Sequence, residues 1–143
     1  SDRRRDSRLM GLDLGSKTIG LALSDVTLTI ASPLETIMRT KFAKDAARLQ
    51  ALITEHDVGG LVIGLPVSMD GTEGPRCQST RDFTQNLFEK IDIDAAFWDE
   101  RWSTQAVERI LIGEADLTRK RRAEVVDRAA AAYILQGALD LEI

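Results

Sequence analysis

The stretch LMGLDLGSKTIGLALS, residues 9–24, contains two apolar runs on either side of a turn. The runs are Leu9–Leu14 and Thr18–Ser24, and Gly15-Ser16 between them is a typical turn sequence. A third, shorter run covers Pro33–Met38. Three short strands separated by brief polar breaks predict an antiparallel meander at the start of the fold.

Downstream of the meander, the apolar period changes from that of a strand to that of a helix. It predicts an amphipathic helix over about 43–56, which should end at His56-Asp57 and the Gly59-Gly60 pair. The apolar stripe of this helix consists of Phe42, Ala46, Leu49 and Ile53. The continuous apolar run Leu61–Leu65 is typical of a strand buried on both faces, and Pro66 ends it.

The second half of the chain alternates between loops, helices and one further strand. A loop rich in turn residues over 66–75 is predicted to be mobile, and a helix over about 76–90 follows it. Ala95–Trp98 predicts another buried strand, which helices over about 104–113 and about 121–139 follow. An antiparallel meander joined to βαβ units predicts the α/β class, with a mixed five-stranded sheet flanked by helices.

The size and composition are those of one globular domain. With 143 residues the chain can form a core without disulfides, and its single cysteine, Cys77, cannot form an internal one. We expect one domain over 8–143, preceded by a disordered leader over 1–7. No apolar run approaches the roughly 20 residues of a membrane span, and no signal-peptide pattern follows the basic start. The expected location is therefore cytoplasmic, without a membrane partner.

The net charge of -4 argues against a protein that coats nucleic acid through bulk electrostatics. Nucleic acid stays possible as a substrate, because carboxylates at a metal site lower the net charge while local basic stretches can still contact phosphates. Two such stretches are Arg3-Arg4-Arg5 with Arg8 and Arg119-Lys120-Arg121-Arg122. Each could equally be a solvated tail or a solvated helix start.

Asp13 is a carboxylate inside an otherwise apolar strand. An ionised group there is costly unless a cation or several donors compensate its charge. Gly11 and Gly15 would let another backbone or a phosphate approach closely, which favours a functional role. The alternative is an aspartate that only caps the bend at residues 14–16.

Asp99 and Glu100 stand at the end of the last predicted strand. Consecutive strand residues point to opposite faces, so at most one of these two side chains can face Asp13. The alternative is a pair of exposed carboxylates with Arg101 as an ion-pair partner.

Asp127 lies on a stripe of small residues in the last predicted helix. The stripe consists of Ala123, Asp127, Ala130, Ala131, Ile134 and Ala138. Alanines allow the helix to lie close to a sheet, and the carboxylate is carried into that interface. Its partner would be either an arginine or a metal ion shared with other carboxylates.

Three carboxylates, two at strand ends and one on a late helix, can form a two-metal site. Oxygen-rich sites prefer Mg²⁺ or Mn²⁺, and such a site activates water and stabilises the leaving oxygen of a phosphodiester. A histidine or cysteine mechanism has no support. His56 lies at a predicted helix C-terminus, where the helix dipole explains it, and Cys77 is predicted to be a helix-face residue.

Four segments form a recognisable set: 11–22 (GLDLGSKTIGLA), 62–66 (VIGLP) with 69–74 (MDGTEG), 99–104 (DERWST), and Asp127 with 129–136 (AAAAYILQ). Together they resemble the YqgF family, also called RuvX, whose members are described as Holliday junction resolvases and as nucleases that process the 5′ end of pre-16S rRNA. Trp102 departs from the leucine expected in the third segment, and it could stack on a base or only fill a gap.

The resemblance implies a ribonuclease H-like fold, in which three antiparallel strands precede two parallel ones. It also implies that Asp13, Glu100 and Asp127 are the catalytic, metal-binding carboxylates, which decides between Asp99 and Glu100 in favour of Glu100.

From this resemblance we expect a Mg²⁺- or Mn²⁺-dependent nuclease that acts in 5′-end maturation of pre-16S rRNA. Alternatives are a Holliday junction resolvase that cuts branched DNA, as a monomer or homodimer, and a module that binds rRNA or a junction without cutting it. The predicted phosphate contacts are Lys17, Arg101, Arg119, Arg121 and Arg122, together with the 66–75 loop. The run Asp-Leu-Gly-Ser-Lys also resembles the phosphate-binding hairpin of the actin and sugar-kinase superfamily, whose members need two such domains.

Overall fold

A computed structural model describes residues 7–68, 70–99 and 119–141, and between 119 and 127 it describes the helix but not the side chains. These residues form five strands and three helices. The strands are β1 (Arg8–Leu14), β2 (Thr18–Ser24), β3 (Ala31–Met38), β4 (Val58–Leu65) and β5 (Asp94–Asp99). The helices are α1 (Phe42–Glu55), α2 (Pro75–Phe88) and α3 (Arg119–Asp140). The helix predicted over about 104–113, and residues 1–6 of the predicted leader, lie outside the described residues.

The described strands form one sheet in the order β3-β2-β1-β4-β5. β1 pairs with β2, and β2 with β3, in antiparallel fashion, whereas β4 is parallel to both β1 and β5. The predicted meander and the mixed sheet are thus confirmed. Because β1, β4 and β5 run in the same direction, their carboxyl ends lie at one edge of the sheet, where α/β proteins commonly place their sites.

Alternation along β1 divides the molecule into two layers. Met10, Leu12 and Leu14 are buried against α1 and α2, in a core of large side chains. The other face of the sheet packs against α3. That second, smaller cluster consists of Ala22, Val62, Ala131, Ile134, Leu135, Ala138 and Leu139. Each buried leucine stabilises the fold by about 1.5–3 kcal/mol, so among the described side chains the α1/α2 layer provides the larger share of the hydrophobic stabilisation.

Gly11 determines how closely α3 approaches the sheet. A Cβ at this position would lie 2.7 Å from the carbonyl oxygen of Ala131 and 2.9 Å from Cβ of Leu135. The predicted small-residue stripe is confirmed at Ala131, Ile134 and Ala138, which are buried. The backbone that Gly11 admits is therefore that of α3.

The predicted end of α1 at His56-Asp57 is confirmed, because His56 is the C-cap and the turn is made at Asp57, whose φ is 55°. Two other expectations are wrong. Gly59-Gly60 takes no part in this helix end, since both glycines lie within β4. β5 is not a buried strand: it lies at an edge of the described sheet, and Phe97 is 39% exposed. The position of a strand within a sheet depends on the pairing order, which local apolar character does not reveal.

Candidate active site

Asp13 is the penultimate residue of β1 and lies on the α3 face, two residues after Gly11. It is half-buried, less than its apolar surroundings in the sequence suggested. Its partner across β2 is Gly20. On the other side, Gly64 follows Ile63, the β4 partner of Leu12. Neither of these two neighbours in the sheet carries a side chain on this face.

The direction of α3 places Asp127 toward the same edge. Ala131 lies over Gly11, whereas the Gln136 amide accepts a hydrogen bond from the Ala31 N–H and donates one to the Thr29 carbonyl, both at 2.9 Å. Those partners stand at the start of β3, near the start of β1. Earlier turns of α3 therefore run toward the end of β1. Asp127 precedes Ala131 by one turn, and its side chain lies outside the described residues.

The start of β3 can be placed by two further contacts. Ala31 pairs with Ser24, the last residue of β2. The Ser24 hydroxyl in turn accepts a hydrogen bond of 2.8 Å from the N–H of Leu9, near the start of β1. Gln136 thus binds at the edge of the sheet opposite Asp13.

Strand alternation shows on which face of the sheet Asp99 lies. Trp98 lies on the α3 face, where a Cβ at Gly137 would approach its indole ring to 2.8 Å. Asp99, the next residue, is consequently on the α2 face, level with Leu65. Asp99 and Asp13 do not share a face. Glu100 and Arg101 lie outside the described residues.

The predicted phosphate contacts are only partly described. Lys17 is exposed in the β1–β2 turn, immediately beyond the Asp13 edge, and its carbonyl accepts a hydrogen bond from the Arg39 N–H at 2.9 Å. α3 begins at Arg119, so the three predicted arginines lie in its first turns. The side chains of Arg119, Arg121 and Arg122 lie outside the described residues.

The loop between β4 and α2 contacts α2 through Glu73 and, through Arg81, is linked to β5. Glu73 forms an ion pair of 2.8 Å with Arg81 on α2, and the hydrogen bonds from that guanidinium hold the pKa of the Glu73 carboxyl below its usual range. The same guanidinium lies 4.9 Å from the ring centroid of Phe97 on β5. The end of the loop is therefore linked to the strand that leads to Asp99.

The other two reactive side chains have the structural roles that were predicted. His56 caps the C-terminus of α1, half-buried, with Nε2 3.9 Å from the carboxylate of Glu55. Cys77 is fully buried on α2. Within the described ranges, no three His, Cys, Asp or Glu side chains come together as a metal site, and Asp13 is the one predicted ligand whose side chain those ranges include. None of the helices seen there is long and apolar enough to cross a membrane.

Two arginines that the sequence patterns did not identify also lie at this edge of the molecule. Arg39 directly follows β3, and Arg76 stands in the first turn of α2. Both line a cavity beside the β1–β2 turn. Neither arginine belongs to a basic run. In the sequence, only their positions at the ends of predicted elements could have indicated a functional role.

Comparisons with known proteins agree with this architecture. A family model described as RuvX, Holliday junction resolvase, matches residues 7–141. A relative from Paramagnetospirillum magneticum, provisionally named a pre-16S rRNA nuclease, is 67% identical over 136 residues, which cover 95% of this chain and 87% of that protein. A relative from Rhodospirillum rubrum with the same provisional name is 63% identical, with 92% and 82% coverage.

Solved structures of resolvases are similar in fold. RuvC from T. thermophilus in complex with a Holliday junction has a TM-score of 0.58 at 14% identity, with 95% of each chain covered. The yeast mitochondrial Holliday junction resolvase has a TM-score of 0.53 at 11% identity, with 99% and 83% coverage. Together with the sheet order, these likenesses confirm the predicted ribonuclease H-like fold.

Proposed function

The chain belongs to the RuvX family, and on this basis we propose that it is a metal-dependent nuclease that hydrolyses phosphodiester bonds in the 5′-end maturation of pre-16S rRNA. Relatives with that provisional name match more than nine-tenths of the chain. The structural observation that carries the proposal is Asp13, a half-buried carboxylate at the carboxyl end of the central strand, with glycine on both neighbouring strands. A pre-rRNA substrate implies a cytoplasmic location.

Asp13, Glu100 and Asp127 would hold Mg²⁺, or Mn²⁺ in its place. Carboxylate oxygens are the donors that these ions prefer, and an ionised carboxylate within an apolar strand is costly unless a cation or several donors compensate it. Since Asp99 lies on the α2 face, alternation favours Glu100 as the partner from this strand. The metal, when bound, supplies an activated water and stabilises the leaving oxygen.

The remaining predicted residues would orient the substrate. Lys17, exposed in the turn next to Asp13, is placed to contact a phosphate as a mobile point charge. Arg101 can engage phosphate oxygens with two parallel hydrogen bonds. Arg119, Arg121 and Arg122 would guide the strand along the first turns of α3.

The proposal is tested by comparing Asp13→Asn with a matched control, Asp92→Asn. Asp92 is exposed between α2 and β5, so its substitution makes the same change in charge away from the site. With Mg²⁺ and an RNA that spans the 5′ end of 16S rRNA, we expect Asp13→Asn to lower kcat by at least about 100-fold. Asp92→Asn should cleave as the wild type does, and both variants should keep the wild-type Tm. Equal cleavage by the wild type and Asp13→Asn would overturn the assignment.

Holliday junction resolution is the second candidate, favoured by the description of the family model and by the junction-bound structural neighbour. Resolution requires two symmetric cuts, and hence a two-fold dimer. Paired, symmetric cleavage of a four-way DNA junction, with a dimer in sedimentation, would favour it over RNA processing. Tight binding in EDTA without cleavage in any metal would instead favour a non-catalytic binding module.

A further inference from the structure

A cavity of about 490 Å³ opens between the β1–β2 turn, the end of β3 and the first turns of α2. It is lined by Leu14, Gly15, Ser16, Arg39, Thr40, Pro75, Arg76, Ser79, Thr80 and Phe83. Its volume lies within the range of about 300–1,000 Å³ that small-molecule sites occupy, so it has room for a nucleotide unit. None of the described residues of the lining is acidic.

None of the described carboxylates compensates the positive charge of this cavity. Among the residues that the structure describes, Arg39 and Arg76 form no ion pair with a carboxylate, whereas Arg48 and Arg81 pair with glutamates. The Asp45 carboxylate accepts hydrogen bonds from the N–H and hydroxyl of Thr40 at 3.2 and 3.3 Å, and it does not line the cavity. Two unpaired guanidinium groups in one concave site favour an anionic ligand.

Arg39 is already fixed in position. Its Nη1 donates a hydrogen bond of 2.5 Å to the Gly15 carbonyl, and its guanidinium lies 5.2 Å from the centroid of Phe83. Phe83 is held in turn by an edge contact with Phe42, with ring centroids 5.3 Å apart. A guanidinium has five N–H donors, so most remain for a ligand, and little side-chain entropy is lost when one binds.

The hydroxyls of the lining divide into two kinds. Thr80 donates to the Arg76 carbonyl at 3.0 Å and is committed to the helix. Ser16 and Ser79 are exposed and can donate to an anion. The positive end of the α2 dipole reinforces the same preference for negative charge.

The cavity is adjacent to Asp13 and on the opposite face of the sheet. Leu14 and Gly15, the next residues of the chain, line it, and two strand residues span about 7 Å. A nucleic-acid strand that crosses the end of β1 could therefore place one phosphate at Asp13 and another in the cavity. We propose that the Arg39–Arg76 cavity binds a backbone phosphate of the substrate, one or two nucleotides from the bond that is cut. This inference rests on the proposed function, since it takes the ligand to be nucleic acid.

The test measures RNA binding in EDTA, where cleavage does not interfere. Fluorescence anisotropy of a labelled single-stranded RNA from the 5′ end of 16S rRNA is followed over a salt series. We expect Arg76→Gln to raise Kd about 5- to 10-fold and to lower the salt slope by about 0.7, the loss of one phosphate contact. Arg76 is exposed, so the variant should fold.

Lys90→Gln is the matched control, because it also removes one positive charge, at an exposed position just after α2 and outside the cavity. It should raise Kd less than about twofold and leave the slope unchanged. Equal weakening by both variants would mean general electrostatics and would overturn the proposal, as would wild-type binding by Arg76→Gln. Competition by inorganic phosphate alone, with no effect of Arg76→Gln on RNA affinity, would also overturn it.

The two proposals can fail separately. If Arg76→Gln weakens binding but the wild type never cleaves RNA or DNA in Mg²⁺ or Mn²⁺, the phosphate site stands and the nuclease function fails. If Arg76→Gln binds and cleaves as the wild type does while Asp13→Asn is inactive, the nuclease function stands and the phosphate site fails.

Discussion

Neighbouring residues of β1 face two layers that are built in different ways. Toward α1 and α2 lie large side chains such as Leu12, which fill the space between the sheet and two helices. On the α3 face, β1 contributes Gly11 and Asp13. The facing side of α3 contains alanines, which allow the helix backbone to pack closely on the sheet. The α1/α2 layer is stabilised by large buried side chains, whereas the α3 layer is stabilised by the close approach of the helix backbone to the sheet. Asp13, a charged residue, lies at the edge of the second layer.

The largest expected effect distinguishes the roles of the consecutive carboxylates Asp99 and Glu100. We expect Glu100→Gln to lower kcat for RNA cleavage by about 10³-fold, because it would remove a metal ligand. Asp99→Asn should stay within about threefold of the wild type, since Asp99 lies on the α2 face. Single-turnover assays in Mg²⁺ measure both. A larger loss of kcat for Asp99→Asn than for Glu100→Gln would contradict the assignment of Glu100 as the metal ligand.

The next prediction compares the stability lost when each layer is disturbed at adjacent positions of β1. Leu12→Ala leaves a cavity in the α1/α2 layer and should lower the free energy of unfolding by about 3 kcal/mol. Gly11→Ala forces a Cβ against the Ala131 carbonyl and should cost about 2 kcal/mol. Urea denaturation measures both. Gly74→Ser is the control, because nothing lies within 4 Å of its added Cβ. A neutral Gly11→Ala would show that α3 does not lie this close.

Much of the fold follows from local sequence. β2 has the bounds that were predicted, because Gly15-Ser16 marks one end of an uninterrupted apolar run. The burial of β5 could not be predicted in this way, since its edge position depends on the pairing order, and within the described sheet β5 pairs only with β4. The glycines at 59 and 60 resembled a helix end, yet Asp57 makes the turn.

The candidate site likewise combines features that local sequence predicts with features that depend on the three-dimensional arrangement. Asp13 stood out because a carboxylate in an apolar run is costly, and the structure places it at the expected edge. The roles of Glu100 and Asp127 remain predictions. Arg39 and Arg76 lie far apart in the chain and meet only through the sheet and α2, so no sequence window contains both.

The smallest expected effect concerns the rim of the α1/α2 layer. Hydrogen bonds from Arg48 lower the pKa of Glu35 from its ordinary value of 4.5. Because the folded-state pKa is depressed, the pair stabilises the protein above pH 4.5, and this stabilisation is lost as the pH falls through the folded-state value. Both side chains are partly exposed, so Arg48→Gln should lower Tm by about 1–2 °C at neutral pH. The difference should shrink in acid and in 1 M salt, and a difference that grows in acid would contradict the assignment.

The bond between Gln136 and the Thr29 carbonyl joins residues 107 positions apart. On a ribosome that adds about 5–20 residues per second, β1 to β3 emerge several seconds before the helix that covers them. During that interval the growing chain can pack α1 and α2 on one side of the sheet while the other side stays bare. A centre that takes Asp13 from β1 and Asp127 from α3 would then be assembled only after α3 has emerged and packed on the bare face of the sheet.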